Sequence, residues 1–105
     1  MIEASYKLFF KAFSNKTRLE IINLLKKGPK SVSEICSSLG FEQSRVSHNL
    51  KCLEDCGVIN SGWHGKSKIY ELDKGPIIPI LKNIDRHMKK YNERLKSCRV
   101  LKNEK

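Results

Sequence analysis

Residues 31–59 read SVSEICSSLGFEQSRVSHNLKCLEDCGVI and contain two short helical patterns with a turn between them. Ser31 and Glu34 have the spacing of a capping box, which predicts the start of a helix, and Gly40 predicts its end. A second helix is predicted over about residues 43–56, because apolar residues recur there at helical spacing. Two helices joined by three residues are typical of a helix-turn-helix.

The two faces of the second helix differ in chemistry. Val46, Leu50 and Leu53 form an apolar stripe that is predicted to face the core. The other face carries hydrogen-bonding side chains, which suit a DNA major groove because that groove admits one α-helix. Glutamine suits adenine edges, arginine suits guanine or phosphate, and serine and histidine reach either. The candidate DNA-contacting residues of this helix are Gln43, Ser44, Arg45, Ser47, His48 and Lys51.

A β-hairpin is predicted directly after the two helices. Residues 58–63 and 67–72 have the composition of strands, and residues 64–66 supply a tight turn. Two helices followed by a hairpin form a winged helix-turn-helix pattern, so a mainly α fold with a small β-hairpin wing is expected. Lys66 and Lys68 are the candidate DNA contacts of the wing, where backbone or minor-groove contact is natural.

Two further helices are predicted before the helix-turn-helix. The first covers residues 2–13 and has aromatic residues at helical spacing, which are Tyr6, Phe9, Phe10 and Phe13. Asn15 is the predicted N-cap of the second, over residues 17–27, in which Leu19, Ile22 and Leu25 share one face.

A long helix is predicted over residues 76–97. Its apolar residues are spaced alternately four and three apart, as in a heptad seam, and they are Ile77, Leu81, Ile84, Met88, Tyr91 and Leu95. Residues 99–105 are predicted to be a basic, frayed tail. The length fits one compact domain, which is expected to cover residues 1–98.

The charge balance indicates a polyanionic partner. The 105 residues carry a formal charge of +10, from 21 Lys or Arg against 11 Asp or Glu. Residues 82–105 hold 9 basic and 3 acidic groups, and residues 1–81 hold 12 and 8. A basic excess of this kind is typical of nucleic-acid binding.

Several other classes of protein are not expected. No apolar run approaches the roughly 18 residues of a transmembrane helix, and the start of the chain lacks a signal-peptide pattern, so a cytoplasmic location without membrane partners is expected. The histidines lie on separate predicted elements and no nucleotide-binding or triad motif occurs, so neither an enzyme nor a cofactor is expected.

Three segments together resemble the ArsR/SmtB family of winged-helix repressors. They are AFSNKTRLEIINLLKKG (12–28), SVSEICSSLGFEQSRVSHNLKCLEDCGVI (31–59) and GWHGKSKIYEL (62–72). The resemblance implies a homodimer that binds a palindromic operator and represses transcription until an effector releases it. It places the DNA contacts at the positions named above, apart from Lys51. It also places the dimer interface on residues 2–13 and 76–97, which gives the aromatic stripe and the heptad seam a role.

The sensor sites known in that family are incomplete in this sequence. Only Cys36 matches the family's thiolate site, and one thiolate does not hold a soft metal alone. Asp85, His87 and Cys98 match part of the family's second site, but Asp85 falls about three turns late and Leu101 stands at the fourth ligand position. No metal is therefore assigned. A metal at Asp85, His87 and Cys98 remains an open alternative, as does a thiol-based redox response.

Cys52 and Cys56 lie four residues apart on the second helix of the helix-turn-helix. They are interpreted as two small buried apolar residues, and a redox pair or half of a metal site is the alternative. Two other functions also remain open for the whole chain. These alternatives to a sequence-specific repressor are a low-specificity DNA-binding protein and a winged-helix module that binds a protein or RNA partner.

Overall fold

The computed structural model describes residues 2–104, except for the side chain of Ile2. The first residue of the predicted domain and the last residue of the predicted tail lie outside the described residues. The chain divides into two compact units, one ending at Asp73 and one beginning at Lys74.

The first unit combines helices with a small antiparallel sheet. Its helices are α1 (Ile2–Ala12), α2 (Lys16–Leu25), α3 (Val32–Leu39) and α4 (Gln43–Asp55). Its strands are β1 (Lys30–Ser31), β2 (Ile59–His64) and β3 (Ser67–Leu72), in the order β1-β3-β2. The mainly α fold with a hairpin wing is confirmed. The strand β1 was not predicted, because two residues are too short to show an alternating pattern.

The core of the first unit is built from α2, the helix-turn-helix and the start of the wing. Its most deeply buried side chains are Ile21, Ile22, Ile35, Val46, Leu50, Leu53, Val58 and Ile59. The face predicted for α2 is wrong at Leu19, which is 43% exposed. The buried face of α2 consists of Thr17, residues 21–22 and residues 24–25, and Leu19 lies roughly 150° from its centre, at about 100° per residue.

The predicted helix starts of α2 and α3 are confirmed. The side chain of Asn15 accepts a hydrogen bond from the backbone N–H of Arg18 at 3.0 Å. In the capping box of α3, Ser31 Oγ accepts from the backbone N–H of Glu34 at 3.2 Å, and the Glu34 carboxylate accepts from the Ser31 N–H at 2.8 Å. Gly40 ends α3 in the left-handed conformation, with φ +71°.

The second unit is helical in its described part. It contains α5 (Ile77–Lys96), which confirms the predicted long helix, and a short α6 (Arg99–Asn103). The sequence predicts a frayed tail from residue 99, but the structure has a helical turn there. The first turn of α6 is closed by a 3.1 Å hydrogen bond from the Lys102 N–H to the Cys98 carbonyl. Within residues 2–104, none of the helices combines the length and the apolar character needed to cross a membrane.

Candidate nucleic-acid interface

The helix α4 has one fully buried side. Val46, Leu50 and Leu53 are all at most 1% exposed, as the sequence predicts. This side fixes α4 on the core of its unit, because an apolar stripe on a helix is stabilised by burial. The opposite side of α4 is therefore presented outward.

All six DNA-contacting residues predicted on α4 are exposed. At about 100° per residue, three of them lie on the face opposite the buried stripe, namely Ser44, His48 and Lys51. Arg45 and Ser47 lie on the two flanks of the helix. Gln43, the first residue of α4, lies on the side of Leu50 and is nevertheless exposed. Lys51 Nζ is 3.5 Å from a carboxylate oxygen of Asp55, an exposed ion pair that leaves the ammonium accessible.

Arg45 is held by two groups of the protein itself. Its Nε and Nη2 atoms donate to Thr17 Oγ1 of α2 at 3.1 and 2.7 Å. Its guanidinium carbon lies 3.8 Å from the centre of the Phe41 ring. Two of the five N–H donors of arginine are used in this way, which leaves three for a ligand. The orientation of Arg45 is thus fixed by α2 and by the turn before α4.

Asn49 is a structural residue that the sequence analysis missed. It is buried, its Nδ2 donates to the Arg45 carbonyl at 2.9 Å, and its Oδ1 accepts from Arg18 Nη1 at 3.3 Å. Arg18 also donates to the carbonyls of Ala12 at 2.8 Å and Lys11 at 3.0 Å. One arginine therefore connects the end of α1 to α4. The sequence could have indicated its burial, since Asn49 lies three residues after Val46 and four before Leu53, on the side of the buried stripe.

The wing is the hairpin of β2 and β3. Gly65, with φ +65°, takes the first position of its two-residue turn, which is the glycine position of a type II′ turn. Lys66 is exposed in this turn. Lys68 is half-buried and pairs with Trp63 across the hairpin, with its Nζ 5.5 Å from the centre of the Tyr70 ring. The two predicted wing lysines thus differ in their freedom to reach a ligand.

The aromatic stripe of α1 leaves apolar surface exposed. Tyr6 and Phe10 are exposed, and so is Leu8, which the sequence analysis did not select. Phe9 and Phe13 are half-buried, and the Phe9 ring contacts the rings of Phe10 and Phe13 at centroid distances of 5.4 and 5.1 Å. Tyr6 and Phe10 lie one turn apart on the same side of α1, and exposed aromatic side chains placed together in this way indicate an interaction surface.

The residues of the heptad seam become more exposed along α5. Its first two residues, Ile77 and Leu81, are already buried in the single chain. From there on the seam residues are half-buried or exposed, and they are Ile84, Met88, Tyr91 and Leu95. The part of the seam that is available to another molecule therefore begins at Ile84.

The three residues considered for a metal, which are Asp85 and His87 of α5 and Cys98 beyond its end, are not gathered into a site within the described residues. His87 is exposed and its ring stacks on Tyr91, with 4.5 Å between ring centres. Asp85 is exposed and Cys98 is half-buried. Among residues 2–104, no three histidine, cysteine or acidic side chains form a group able to hold a metal ion.

The interpretation of Cys52 and Cys56 as two buried residues is wrong for Cys56. Cys56 is exposed at the end of α4, where the apolar stripe has ended, and Cys52 is half-buried. The pKa of the Cys56 thiol is raised, first by local desolvation and then by the neighbouring Cys52 and a hydrogen bond with it. A raised pKa keeps Cys56 in the less reactive thiol form.

These features define a class of protein. A helix-turn-helix with an outward polar face on its second helix, followed by a hairpin wing, is a winged helix-turn-helix.

Comparisons with known proteins give the family. Residues 15–61 match the family described as bacterial regulatory protein, arsR family. The chain is 30% identical to the arsenical resistance operon repressor of Staphylococcus xylosus, over 77% of this chain and 81% of that protein. It is 34% identical to the "Probable mercury resistance operon repressor" of Streptomyces lividans, over 61% of this chain and 51% of that protein. The chain belongs to the arsR family of bacterial regulatory proteins.

A solved structure shares the fold. The crystal structure of Rv0081 from Mycobacterium tuberculosis superposes with a TM-score of 0.75 at 29% identity, covering 86% of this chain and 95% of that one. The chain spans about half the length of the first curated relatives it matches, the Streptomyces protein and NmtR of M. tuberculosis, at 51% of each. The relatives named here are transcriptional regulators and repressors.

Proposed function

We propose that this chain is a sequence-specific DNA-binding transcriptional repressor that works as a homodimer in the cytoplasm. The observation that carries the proposal is the outward side of α4, where Ser44, His48 and Lys51 are exposed opposite a fully buried apolar stripe. The names of the relatives, repressors of mercury and arsenical resistance operons, support the same role. The chain acts by binding and not by catalysis.

Each part of the interface has a distinct task in this proposal. The helix α4 enters the major groove, where Gln43 and His48 read base edges and Lys51 contacts phosphate. Arg45 lies on the flank of α4 with three unused N–H donors, which suits a phosphate of the groove wall. Lys66 at the tip of the wing contacts the backbone outside that groove.

The homodimer is supported by apolar surface on two helices. The exposed aromatic side chains of α1 and the seam of α5 from Ile84 onward are costly to leave in water. A second copy offers the same surfaces, and a two-fold dimer presents two α4 helices to one duplex. Such helices occupy successive major grooves, about 34–36 Å apart on one side of the DNA.

The proposal is tested by truncating the side chains assigned to base edges. Gln43→Ala and His48→Ala are each expected to weaken binding to the preferred duplex by roughly 1–3 kcal/mol and to lower discrimination against unrelated duplexes. Asn23→Ala is the matched control, because it removes an exposed polar side chain from α2. The measurement is a competition titration at fixed salt. Parent-like affinity and discrimination in both α4 variants would contradict the proposal.

A further inference from the structure

Trp63 is a large apolar side chain in an exposed position on the wing. It is 69% exposed, and it is the chain's single tryptophan. Most tryptophan side chains in proteins are largely buried, because the indole offers much apolar surface and one N–H donor. An indole left in water near the tip of a hairpin indicates a binding contact that is completed by another molecule.

The alternation of β2 shows which side of the hairpin Trp63 occupies. Ile59, Ser61 and Trp63 point to one side of the strand, because successive side chains alternate. Ile59 is buried in the core, and Ser61 Oγ donates to a Glu54 carboxylate oxygen of α4 at 2.5 Å. Trp63 therefore lies on the side of the wing that faces α4, roughly 7 Å further along the strand than Ser61.

The surroundings of Trp63 are small or basic and not apolar. On its own side of the hairpin, its neighbour along β2 is Ser61 and its partner across the hairpin is Lys68. Lys66 is exposed in the adjacent turn. A protein partner is matched by a continuous apolar patch with a polar rim, which is absent around Trp63 in the described part of the wing. A single indole between lysines is matched by a strand of nucleic acid, which has apolar sugar faces between anionic phosphates.

We propose that Trp63 is a DNA-contacting residue of the wing, whose indole packs on the deoxyribose-phosphate backbone beside the groove that α4 enters. This inference rests on the proposed function, since it requires the duplex to lie against α4. The contact is made to sugar and phosphate, so it adds affinity for every duplex sequence and does not select among them.

The first test uses the fluorescence of Trp63, which is the chain's whole tryptophan signal. The intact protein is titrated with its preferred duplex, and emission and acrylamide quenching are recorded at each step. Shielding of Trp63 from acrylamide at the same duplex concentration that saturates a gel shift is expected. Unchanged emission and unchanged quenching in a saturated complex would overturn the inference.

The second test separates the indole contact from charge. Trp63→Ala is expected to weaken binding to matched and unrelated duplexes alike by about tenfold, which is the lower range for loss of one aromatic contact to nucleic acid. Because Trp63 carries no charge, the slope of log K against log salt stays at the parent value. Lys66→Ala is the contrast, since loss of one phosphate contact lowers that slope by about 0.9. Trp63→Phe is expected to retain part of the affinity.

The outcomes distinguish the two proposals. Val100→Ala, which truncates an equally exposed apolar residue of α6, is the control and is expected to bind as the parent does. If the parent protein selects a duplex but Trp63→Ala binds with parent-like affinity, or shows a lowered salt slope, the indole contact is overturned and the proposed function is not. Failure of the parent protein to bind any duplex would instead remove the proposed function itself.

Discussion

Thr17 carries a buried hydroxyl group that holds Arg45 on the flank of α4. Its Oγ1 accepts two hydrogen bonds from Arg45, whose carbonyl in turn accepts one from Asn49. Arg45 is therefore oriented before any ligand arrives, and a pre-oriented side chain loses less conformational entropy on binding. In this view Thr17 is a positioning residue for Arg45.

Removing the Thr17 hydroxyl tests this coupling. Thr17→Val keeps the shape of the side chain but removes the acceptor, so the free energy of unfolding is expected to fall by about 1–2 kcal/mol. In a cycle with Arg45→Ala, the two losses are expected to be less than additive by about 1 kcal/mol, because both remove the same interaction. Urea unfolding of the four proteins measures this. Additive losses would show that the hydroxyl and the guanidinium act independently.

At the residue scale, the sequence predicts the local part of the site and not the long-range part. The period of the apolar stripe places His48 on the outward face, because the face that a residue occupies depends only on its spacing along one helix. The contact between Arg45 and Thr17 joins positions 28 residues apart, and the contact between Arg18 and Asn49 joins positions 31 apart. No local pattern carries such information, so the internal role of Arg45 emerges only in the folded chain.

At the scale of an element, α3 is set by its capping box. The pKa of Glu34 lies below its ordinary value, mainly because the Ser31 backbone N–H donates to the carboxylate, with the Ser31 hydroxyl and Lys30 adding to the effect. Folding thus favours the ionised carboxylate. The resulting stabilisation is present above the ordinary glutamate pKa of about 4.3 and is lost as the pH falls through the lower pKa of the folded state.

Because the pKa of Glu34 is lowered in the folded protein, the effect of Glu34→Gln on stability is expected to depend on pH. The variant is expected to be less stable than the parent at neutral pH, and the difference is expected to shrink as the pH falls below about 4. Urea midpoints measured between pH 3 and pH 7 report it. Glu42→Gln is the control, because Glu42 starts α4 without a side-chain capping bond. A stability difference for Glu34→Gln that stays constant down to pH 3 would contradict the role of the carboxylate.

The elements that the sequence predicts well are those with their own start and stop signals. Asn15 and Gly40 mark helix ends by local hydrogen bonding and backbone conformation, and both act as predicted. The strand β1 has no such signal, since it exists through pairing of Lys30 with Tyr70, 40 positions later. The strand predicted over residues 58–63 is found one residue later, as β2 (Ile59–His64). The reason is related, because pairing with β3 decides which residues form the strand.

At the scale of the whole molecule, we propose separate roles for the exposed apolar surface and for the charge. In the proposed homodimer, the exposed apolar residues of α1 and α5 contact a second copy of the chain. Residues 82–105 hold 9 basic and 3 acidic groups, a larger excess than the rest of the chain carries. We expect this charge to steer the protein toward DNA at long range, with little effect on the choice of sequence.

The dimer is tested on the accessible part of the seam. Ile84→Glu combined with Leu95→Glu is expected to give monomers in sedimentation velocity, because each places a charge in an apolar interface while both positions are exposed in the single chain. Lys89→Glu is the control, since it adds a negative charge to α5 outside the seam. Dimers retained in the double variant would show that the seam from Ile84 onward is not the interface.

The most direct measurement is selection of DNA by the full chain from a pool of random duplexes, followed by sequencing of the bound fraction. A homodimer that reads DNA with α4 is expected to enrich an inverted repeat whose half-sites are centred about 10–10.5 base pairs apart, one helical turn. The Gln43→Ala variant is expected to enrich that repeat less strongly than the parent while it still binds DNA. Recovery of bound duplexes with no shared sequence would contradict sequence-specific recognition by α4.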